Sequence, residues 1–148
     1  MYGGPGVKTS KDLPIPDTMK AWVLGNPGEL KLTQKPVPAP KRTEVLVRID
    51  AVAICATDLE IIDHGSPALI EGGKPFNKNF TPGHEYMGTV AALGPGVDEY
   101  KIGQRVTVEI HAGCGQCKRC REGMYTSCHN YGLNYGDVPQ PSLQLVDR

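Results

Sequence analysis

The chain has 148 residues, which is enough for one ordinary domain and short for two. Hydrophobic residues make up 39 % and charged residues 22 %, so the composition is typical of a globular chain and argues against a disordered one. The 16 basic and 16 acidic side chains give a formal net charge of zero, and no run of Lys and Arg exceeds two residues. No nucleic-acid partner is therefore expected.

The amino terminus, MYGGPGVKTSKDLPIPDT, lacks the apolar segment of a signal peptide. No stretch of the sequence approaches the ~20 apolar residues of a membrane span. We therefore expect no membrane partner and a cytoplasmic location, where thiols stay reduced. The odd number of cysteines, 5, further weakens the case for a disulfide framework.

The first part of the chain predicts an arm and a hairpin. Residues 1–18 are rich in Gly, Pro and polar residues and are predicted to form a flexible arm. From Met19 onward, the segments MKAWVLG, NPGE and LKLTQ predict a strand, a turn and a second strand. The segment PVPAPKR is predicted to be a connector, because proline cannot join a central sheet ladder.

A longer strand and a short helix are predicted next. The segment TEVLVRIDAVAI alternates with the period of a half-buried strand. The segment CATDLEIIDHG predicts a short helix that has Thr57 or Asp58 as its cap and ends at Gly65. Residues 64–82 have the composition of a loop.

The second half of the chain adds short strands. YMGTVAALG predicts a strand of small residues, PGVDEYKIGQ a turn, and RVTVEIH another alternating strand. About five strands with little helix predict a mainly β fold, a barrel or a sandwich. No G-x-G-x-x-G motif follows a strand, so we expect no Rossmann domain in this chain.

Four of the five cysteines form the pattern Cys114-x2-Cys117-x2-Cys120-x7-Cys128. Zinc binds four thiolates as a tetrahedron, and two-residue gaps let the thiolates of tight turns converge on one ion. Because protein ligands fill all four positions, such a zinc is structural. Two disulfides, inert buried cysteines and an iron–sulfur cluster are the alternatives. A DNA-binding zinc ribbon needs about 15 to 20 residues between its cysteine pairs and does not fit.

The remaining cysteine and one histidine are further candidate ligands. Cys55 follows a predicted strand, and His84 lies beside Glu85 in TPGHEYMGTV. Thiolate, imidazole and carboxylate all suit zinc. Taken alone, however, a single cysteine such as Cys55 is more often a small buried hydrophobe, and a single histidine such as His84 is more often a surface or structural residue.

Three motifs together resemble the medium-chain, zinc-dependent alcohol dehydrogenases. The segment GHEYMGTVAALGPGV matches the zinc signature of that family without a gap. CATD resembles the family's Cys-x-Thr-Asp motif, and GQRV followed by the four-cysteine loop resembles its order and spacing. The matching signature positions are Gly83, His84, Glu85, Gly88, Gly94 and Val97. The similarity covers residues 19–132, and polyol, threonine and alcohol dehydrogenases form the nearest subgroup.

The resemblance implies a fold and a domain organisation. The expected fold is a mainly β, GroES-like, partly open barrel with short helices and a zinc-binding lobe. The expected catalytic domain spans residues 19–137, with the lobe at 111–130. Residues 138–148, VPQPSLQLVDR, do not resemble the family's continuation and are interpreted as an atypical tail, which a truncated end, a frame-shifted end or an excised domain with a foreign tail would each explain.

The resemblance also implies roles for particular residues. Cys55 and His84 would be ligands of a catalytic zinc, and Glu85 a near ligand that exchanges with water or substrate. Thr57 would carry the proton of the bound alcohol outward, and Asp58 would orient His84. The structural zinc would be held by Cys114, Cys117, Cys120 and Cys128. His64 and His111 have no assigned role and are predicted to be loop residues.

The implied activity is the oxidation of a primary or secondary alcohol to a carbonyl, with NAD or NADP as hydride acceptor. A polyol or sugar alcohol is the expected substrate, and the loop from His64 to Glu85 is expected to line its cleft. The third catalytic-zinc ligand and the NAD(P) site of the family lie beyond this chain. The isolated chain is therefore expected to be inactive, and a homo-oligomer is a further expectation. A non-catalytic, zinc-stabilised interaction module is the alternative.

Overall fold

A computed structural model describes residues 3–64, 81–111 and 113–129, together with the backbone of residues 143–145. The strands are β1 (Lys8–Thr9), β2 (Thr18–Leu24), β3 (Leu30–Pro36), β4 (Val45–Ala53), β5 (Glu85–Leu93), β6 (Arg105–Val108) and β7 (Leu143–Leu145). The helices are α1 (Ala56–His64), α2 (Lys118–Arg121) and a 3₁₀ turn, Tyr125–Ser127. The predicted mainly β fold with short helices is confirmed.

Strands β2 and β3 form the predicted hairpin as a separate two-stranded sheet. Trp22 lies opposite Leu32, and the turn closes where the Gly25 N–H donates to the Glu29 carbonyl at 3.1 Å. The tip of the turn reaches the helix, because the Gly28 N–H donates to the Ile62 carbonyl of α1 at 2.7 Å. The hairpin is therefore hydrogen-bonded to α1, the helix that follows β4.

The other strands form a five-stranded antiparallel sheet around β5. β5 pairs with β4 from Leu93 down to Glu85, with two register irregularities along the ladder. On the other side, Met87 to Thr89 pair with β6, which in turn pairs with β7. β5 is therefore the central strand, and its residues from Gly88 to Leu93 are all buried.

The hydrophobic core lies where β5, β6 and the turn after β5 meet. Val90, Leu93, Val97 and Val106 form this core, and Val90 and Val106 have no exposed surface. β-Branched side chains pack well on a pleated surface, which is consistent with the valine-rich composition of the core. Partly buried side chains pack around it: Val45, Val47, Tyr100 and Ile102.

The predicted arm, residues 1–18, is not entirely separate from the fold. Lys8 and Thr9 pair with Leu93 and Ala92 as strand β1. The Lys8 ammonium also lies 3.3 Å from a carboxylate oxygen of Asp98. A strand of two residues is too short to show an alternating pattern in the sequence. The pairing depends instead on the edge of β5 that is available to Lys8 and Thr9.

The carboxyl-terminal tail likewise contributes to the sheet. Leu143 to Leu145 pair with Val108 to Val106 as β7, beyond the predicted domain boundary at residue 137. The last alternating segment is shorter than predicted, since β6 ends at Val108 and Glu109 to His111 lie outside it. The predicted loop over residues 64–82 and the predicted helix stop at Gly65 fall mostly outside the described residues.

The start of α1 lies two or three residues before the predicted start. The helix begins at Ala56, so Thr57 and Asp58 lie in its first turn and neither is the N-cap. Asp58 instead accepts the backbone N–H of Cys55 through Oδ2 at 3.1 Å, which is the reach of a side chain in the first turn back to the cap position. The carboxylate also suits the positive end of the helix dipole.

Helices in the described ranges are short: α1, with nine residues, is the longest. None of them has the length and apolar character that a bilayer-crossing helix requires.

We predict that Gly94→Ala destabilises the fold. A Cβ on Gly94 would collide with the Lys41 carbonyl oxygen and lie 2.8 Å from that of Glu44, where two backbones cross. We expect the free energy of unfolding to fall by about 3 kcal/mol, at the upper end of overpacking effects. Urea denaturation measures this. Gly4→Ala is the matched control, because its Cβ would meet nothing within 4 Å; an equal effect of both substitutions would contradict the prediction.

Candidate metal sites

The pairing of β4 with β5 brings the first group of candidate ligands together. Ala53 is the last residue of β4 and lies opposite Glu85, the first residue of β5. Cys55 follows the one strand and His84 precedes the other, so the two residues lie at the same edge of the sheet. The Cys55 Sγ is 3.3 Å from the His84 Nε2, and the Glu85 Oε1 is 3.8 Å from the same nitrogen.

Asp58 is the buried hydrogen-bond acceptor at the centre of this group. Its side chain is 4 % exposed and accepts the N–H of Cys55 through Oδ2 and the N–H of Gly83 through Oδ1, each at 3.1 Å. The His84 Nδ1 lies 3.1 Å from the same Oδ1. This contact turns the His84 Nε2 toward Cys55.

The charge of Asp58 is maintained despite its burial. Burial by itself raises the pKa of this carboxyl, but the Cys55 N–H, the His84 imidazole and the Gly83 N–H outweigh it, so the pKa lies below its usual value. An oxygen of Asp58 lies within 4.8 Å of the Cys55 sulfur and of a His84 ring nitrogen, which is close enough for all three to bind one metal ion. Because its oxygens already accept three N–H groups, we interpret Asp58 as the residue that orients His84.

The donor set of this edge fits a zinc ion. With Zn–S near 2.3 Å and Zn–N near 2.0 Å, a tetrahedral ion separates the two ligand atoms by about 3.5 Å. The observed 3.3 Å between Cys55 and His84 is close to that value. Glu85, with a half-exposed side chain, is adjacent, and Thr57 lies exposed in the first turn of α1.

The four cysteines of the lobe form the second group. Their sulfur atoms all lie within 4.8 Å of one another. The Cys117 and Cys128 sulfurs are 3.9 Å apart, which is far too long for a disulfide and close to the edge of about 3.8 Å in a zinc–thiolate tetrahedron. All five cysteines of the chain are free thiols in the structure, so the disulfide alternative is not supported.

Local backbone geometry holds these thiols in place. Three N–H groups donate to sulfur: Cys117 to Cys114, Cys120 to Cys117 and Cys114 to Cys128, at 3.3, 3.5 and 3.4 Å. Cys117 is the cap residue of α2, so the short helix sets the spacing between Cys117 and Cys120. Gly113 leaves room for the cluster, because a Cβ there would lie 2.7 Å from the Cys120 sulfur.

The thiols of the lobe differ in pKa in the absence of a cation. Burial raises the pKa of Cys120 to about 12. The N–H groups of Cys120 and His129 lower the pKa of Cys117. The basic side chains within the lobe, Lys118, Arg119 and Arg121, are all exposed. A bound cation is what would bring all four sulfurs to the thiolate form.

Glu109 and His111 form a polar pair outside both ligand groups, and neither residue had a predicted role. The Glu109 Oε1 lies 2.9 Å from the His111 Nδ1 and 3.1 Å from its backbone nitrogen. The His111 N–H and imidazole lower the pKa of Glu109. Both residues line a cavity that also contacts Glu85 and Tyr86. The sequence could have predicted this pairing, because residues two positions apart in an extended segment, such as Glu109 and His111, lie on the same face.

The predicted substrate loop between His64 and Glu85 lies mostly outside the described residues. At its start, His64 forms an exposed ion pair with Glu60 at 3.3 Å, one helical turn apart. Among the residues that the structure describes, His64 belongs to neither ligand group.

Comparison with known proteins defines the class of this chain. Residues 41–141 match the family described as the alcohol dehydrogenase GroES-like domain. The chain belongs to this family, and the predicted GroES-like fold of a zinc-dependent medium-chain alcohol dehydrogenase is confirmed.

Relatives with known names fall into this class. The chain is 41 % identical over 114 residues to a sorbitol dehydrogenase of Bacillus subtilis, a match that covers 77 % of this chain and 31 % of that protein. It is 46 % identical over 101 residues to an L-threonine 3-dehydrogenase of Xanthomonas axonopodis, which covers 67 % and 28 % respectively. The chain thus spans about a third of the length of these curated relatives.

Solved structures give the same result. A cobalt- and zinc-bound thermostable alcohol dehydrogenase from Pyrobaculum aerophilum superposes with a TM-score of 0.67 at 29 % identity, over 78 % of this chain and 33 % of that one.

We predict that Asp58→Ala disrupts this edge of the sheet even before any metal is added. The substitution leaves the N–H groups of Cys55 and Gly83 without their acceptor and releases His84. We expect a loss of about 3 kcal/mol in the unfolding free energy of the metal-free chain, because hydrogen bonds to a charged acceptor are the costly ones to break. Urea denaturation at pH 7 measures this.

The pH dependence provides the control for this prediction. The pKa of Asp58 is lowered in the fold, so its contribution is complete above the unfolded-state pKa and is lost as the pH falls through the folded-state pKa. The stability difference between native and Asp58→Ala chains should therefore shrink at acidic pH. A difference that stayed constant between pH 7 and pH 3 would argue that the carboxylate charge contributes nothing.

Proposed function

We propose that this chain is the zinc-binding catalytic domain of an NAD(P)-dependent alcohol dehydrogenase and holds two zinc ions. Cys114, Cys117, Cys120 and Cys128 bind the structural ion. Cys55, His84 and Glu85 bind the catalytic ion. The observation that carries the proposal is the convergence of the Cys55 thiol and the His84 Nε2, at 3.3 Å, with the opposite ring nitrogen of His84 fastened to Asp58.

Each residue of the catalytic group has a defined task. Cys55 supplies a soft anionic ligand, and His84 supplies a neutral nitrogen whose orientation Asp58 fixes. Glu85, with its half-exposed carboxylate 3.8 Å from the His84 Nε2, exchanges between the metal position and solvent. Thr57 is exposed in the first turn of α1, and its hydroxyl relays the proton of the alcohol outward by passing its own proton on to solvent.

A zinc ion held by these residues would lower the pKa of a bound alcohol and stabilise its alkoxide, and NAD(P) would serve as the hydride acceptor. The names of the relatives, sorbitol and threonine dehydrogenases, support substrates that carry a secondary alcohol next to another polar group. The proposed product is the corresponding carbonyl compound.

We predict that the chain purified without added metal contains about two zinc ions, one for each ligand group. His84→Ala removes a ligand of only the catalytic ion and should lower the content by about one. Cys120→Ser should remove the structural ion and, because the lobe depends on it, should also lower the melting temperature. Elemental analysis combined with a protein assay measures the metal content.

His64→Ala is the matched control, because His64 is an exposed histidine that lies outside both ligand groups; it should leave the zinc content unchanged. A native chain with one zinc that His84→Ala retains would refute the catalytic site. That result would favour a non-catalytic, zinc-stabilised module.

A further inference from the structure

The turn between β2 and β3 makes a hydrogen bond to α1, the helix that carries Asp58. The Gly28 N–H donates to the Ile62 carbonyl at 2.7 Å. Ile62 lies in the last turn of α1, where the carbonyls have no partner within the helix. Because Ile62 follows Asp58 by four residues, the contact lies about one helical turn from the carboxylate that orients His84. The hairpin therefore holds one end of α1, and Asp58 holds the other.

The conformation of this turn directs the Gly28 N–H toward the helix. The Glu29 N–H donates to the Asn26 carbonyl at 2.9 Å, which closes a β-turn with Pro27 and Gly28 at its centre. Gly28 has a φ of 77°, and a proline followed by a residue of positive φ is the pattern of a type II turn. In a type I turn the peptide unit between the two central residues is rotated by roughly 180°, so its N–H points to the opposite side. The residue type at position 28 therefore decides where this N–H points, because glycine and asparagine are the residues that adopt a positive φ most easily.

A second contact joins the hairpin to the segment that enters β5. The Lys35 ammonium of β3 donates to the Thr81 hydroxyl at 3.2 Å. Thr81 precedes Gly83, whose N–H donates to Asp58. The hairpin thus contacts both of the segments that meet at Asp58. Water competes for the exposed contact of Lys35, so we assign the larger contribution to the contact of Gly28.

The short length of α1 makes the contacts at its ends important. A helix of nine residues is only marginally stable on its own in water. Its buried residues are Asp58 and Ile61. Because few of its side chains are buried, the hydrogen bonds at its two ends carry much of its placement.

We propose that Gly28 is a positioning residue for the catalytic zinc site. Its type II turn holds α1, and α1 holds Asp58 in the place where this carboxylate orients His84. The inference rests on the proposed function, because His84 is one of the proposed zinc ligands. It assigns a task to the NPGE turn, which lies outside residues 41–141, the part that matches the family, and outside both ligand groups.

Three variants separate this role from a general loss of stability. Gly28→Val places a β-branched side chain at a positive φ, which such residues rarely adopt, and so favours the flipped turn. Gly28→Asn is the conservative variant, because asparagine tolerates this conformation. Gly103→Val is the matched control: Gly103 also has a positive φ, 89°, and a Cβ at either position would meet nothing within 4 Å. The Gly103 N–H donates to the Val90 carbonyl and not to α1.

The first test measures amide hydrogen exchange in the full chain as purified. The N–H groups of Cys55 and Gly83 donate to Asp58 and therefore report on its position. In Gly28→Val we expect both to exchange about tenfold faster, the upper range for one lost hydrogen bond. The N–H of Gly94, which is hydrogen-bonded at the other end of the β4–β5 ladder, is the reference for the intact fold and should not change.

The second test measures zinc affinity by competition with a chromophoric chelator. His84→Ala identifies the ion of the proposed catalytic site, because that ion is the one it removes. We expect Gly28→Val to weaken the binding of this ion by about tenfold, at the low end for changes behind a ligating histidine. The ion of the four-cysteine lobe should keep its affinity. Gly28→Asn should bind both ions nearly as the native chain does, and Gly103→Val should leave both affinities unchanged.

The outcomes separate this inference from the proposed function. Unchanged exchange of Cys55 and Gly83 in Gly28→Val overturns the positioning role, and so does an equal acceleration in Gly103→Val. Unchanged affinity for the catalytic ion in Gly28→Val overturns the link between the turn and the metal site. A native chain that binds only the lobe ion, but in which Gly28→Val still accelerates the exchange of these two amides, refutes the proposed function and supports the positioning of Asp58.

A milder pair of variants covers the case in which Gly28→Val does not fold, which the Gly94 amide would show. Gly28→Ala imposes less strain at the same turn, and Gly103→Ala is its control. The exchange of Cys55 and Gly83 should again be faster in Gly28→Ala alone. An equal exchange rate in the two alanine variants would overturn the inference.

Discussion

The antiparallel pairing of β4 with β5 is the constraint on which the rest of the structure depends. This ladder runs from the pair of Val45 and Leu93 to the pair of Ala53 and Glu85. At one end, β5 contributes Val90 and Leu93 to the core. At the other end, the ladder stops where Cys55 leaves one strand and His84 enters the other. A slip by one residue would turn these side chains to the opposite face, so the register and the candidate metal site are specified together.

Asp58 converts this proximity into a defined geometry. Beyond the last strand pair and the contact of Cys55 with His84, one buried carboxylate accepts N–H groups from both segments at this edge. It also fixes the His84 ring. A buried charge is costly unless it is fully hydrogen-bonded, and three donors meet that requirement here. The same contacts lower the pKa of Asp58, so the edge is held together at neutral pH.

The two ligand groups are built in different ways. The four-cysteine lobe is local in sequence: Cys114 to Cys128 span one short segment, and N–H to sulfur bonds together with α2 bring the sulfurs together. The group of Cys55 and His84 joins residues 29 positions apart and depends on the sheet. For this reason the spacing of the cysteines alone indicated a structural zinc site, whereas Cys55 and His84 were weak signals until the motifs were considered together.

The sequence by itself determined the mainly β class, the β2–β3 hairpin, strands β4 and β5 and the grouping of the four cysteines, because alternation and ligand spacing are local properties. It did not determine β1, the pairing of β7 or the start of α1 at Ala56, which depend on available strand edges and on hydrogen bonds across the chain. Tertiary structure alone placed the pair of Glu109 and His111 in the cavity beside Glu85. A long-range sheet register made that placement, and no single segment of the sequence encodes it.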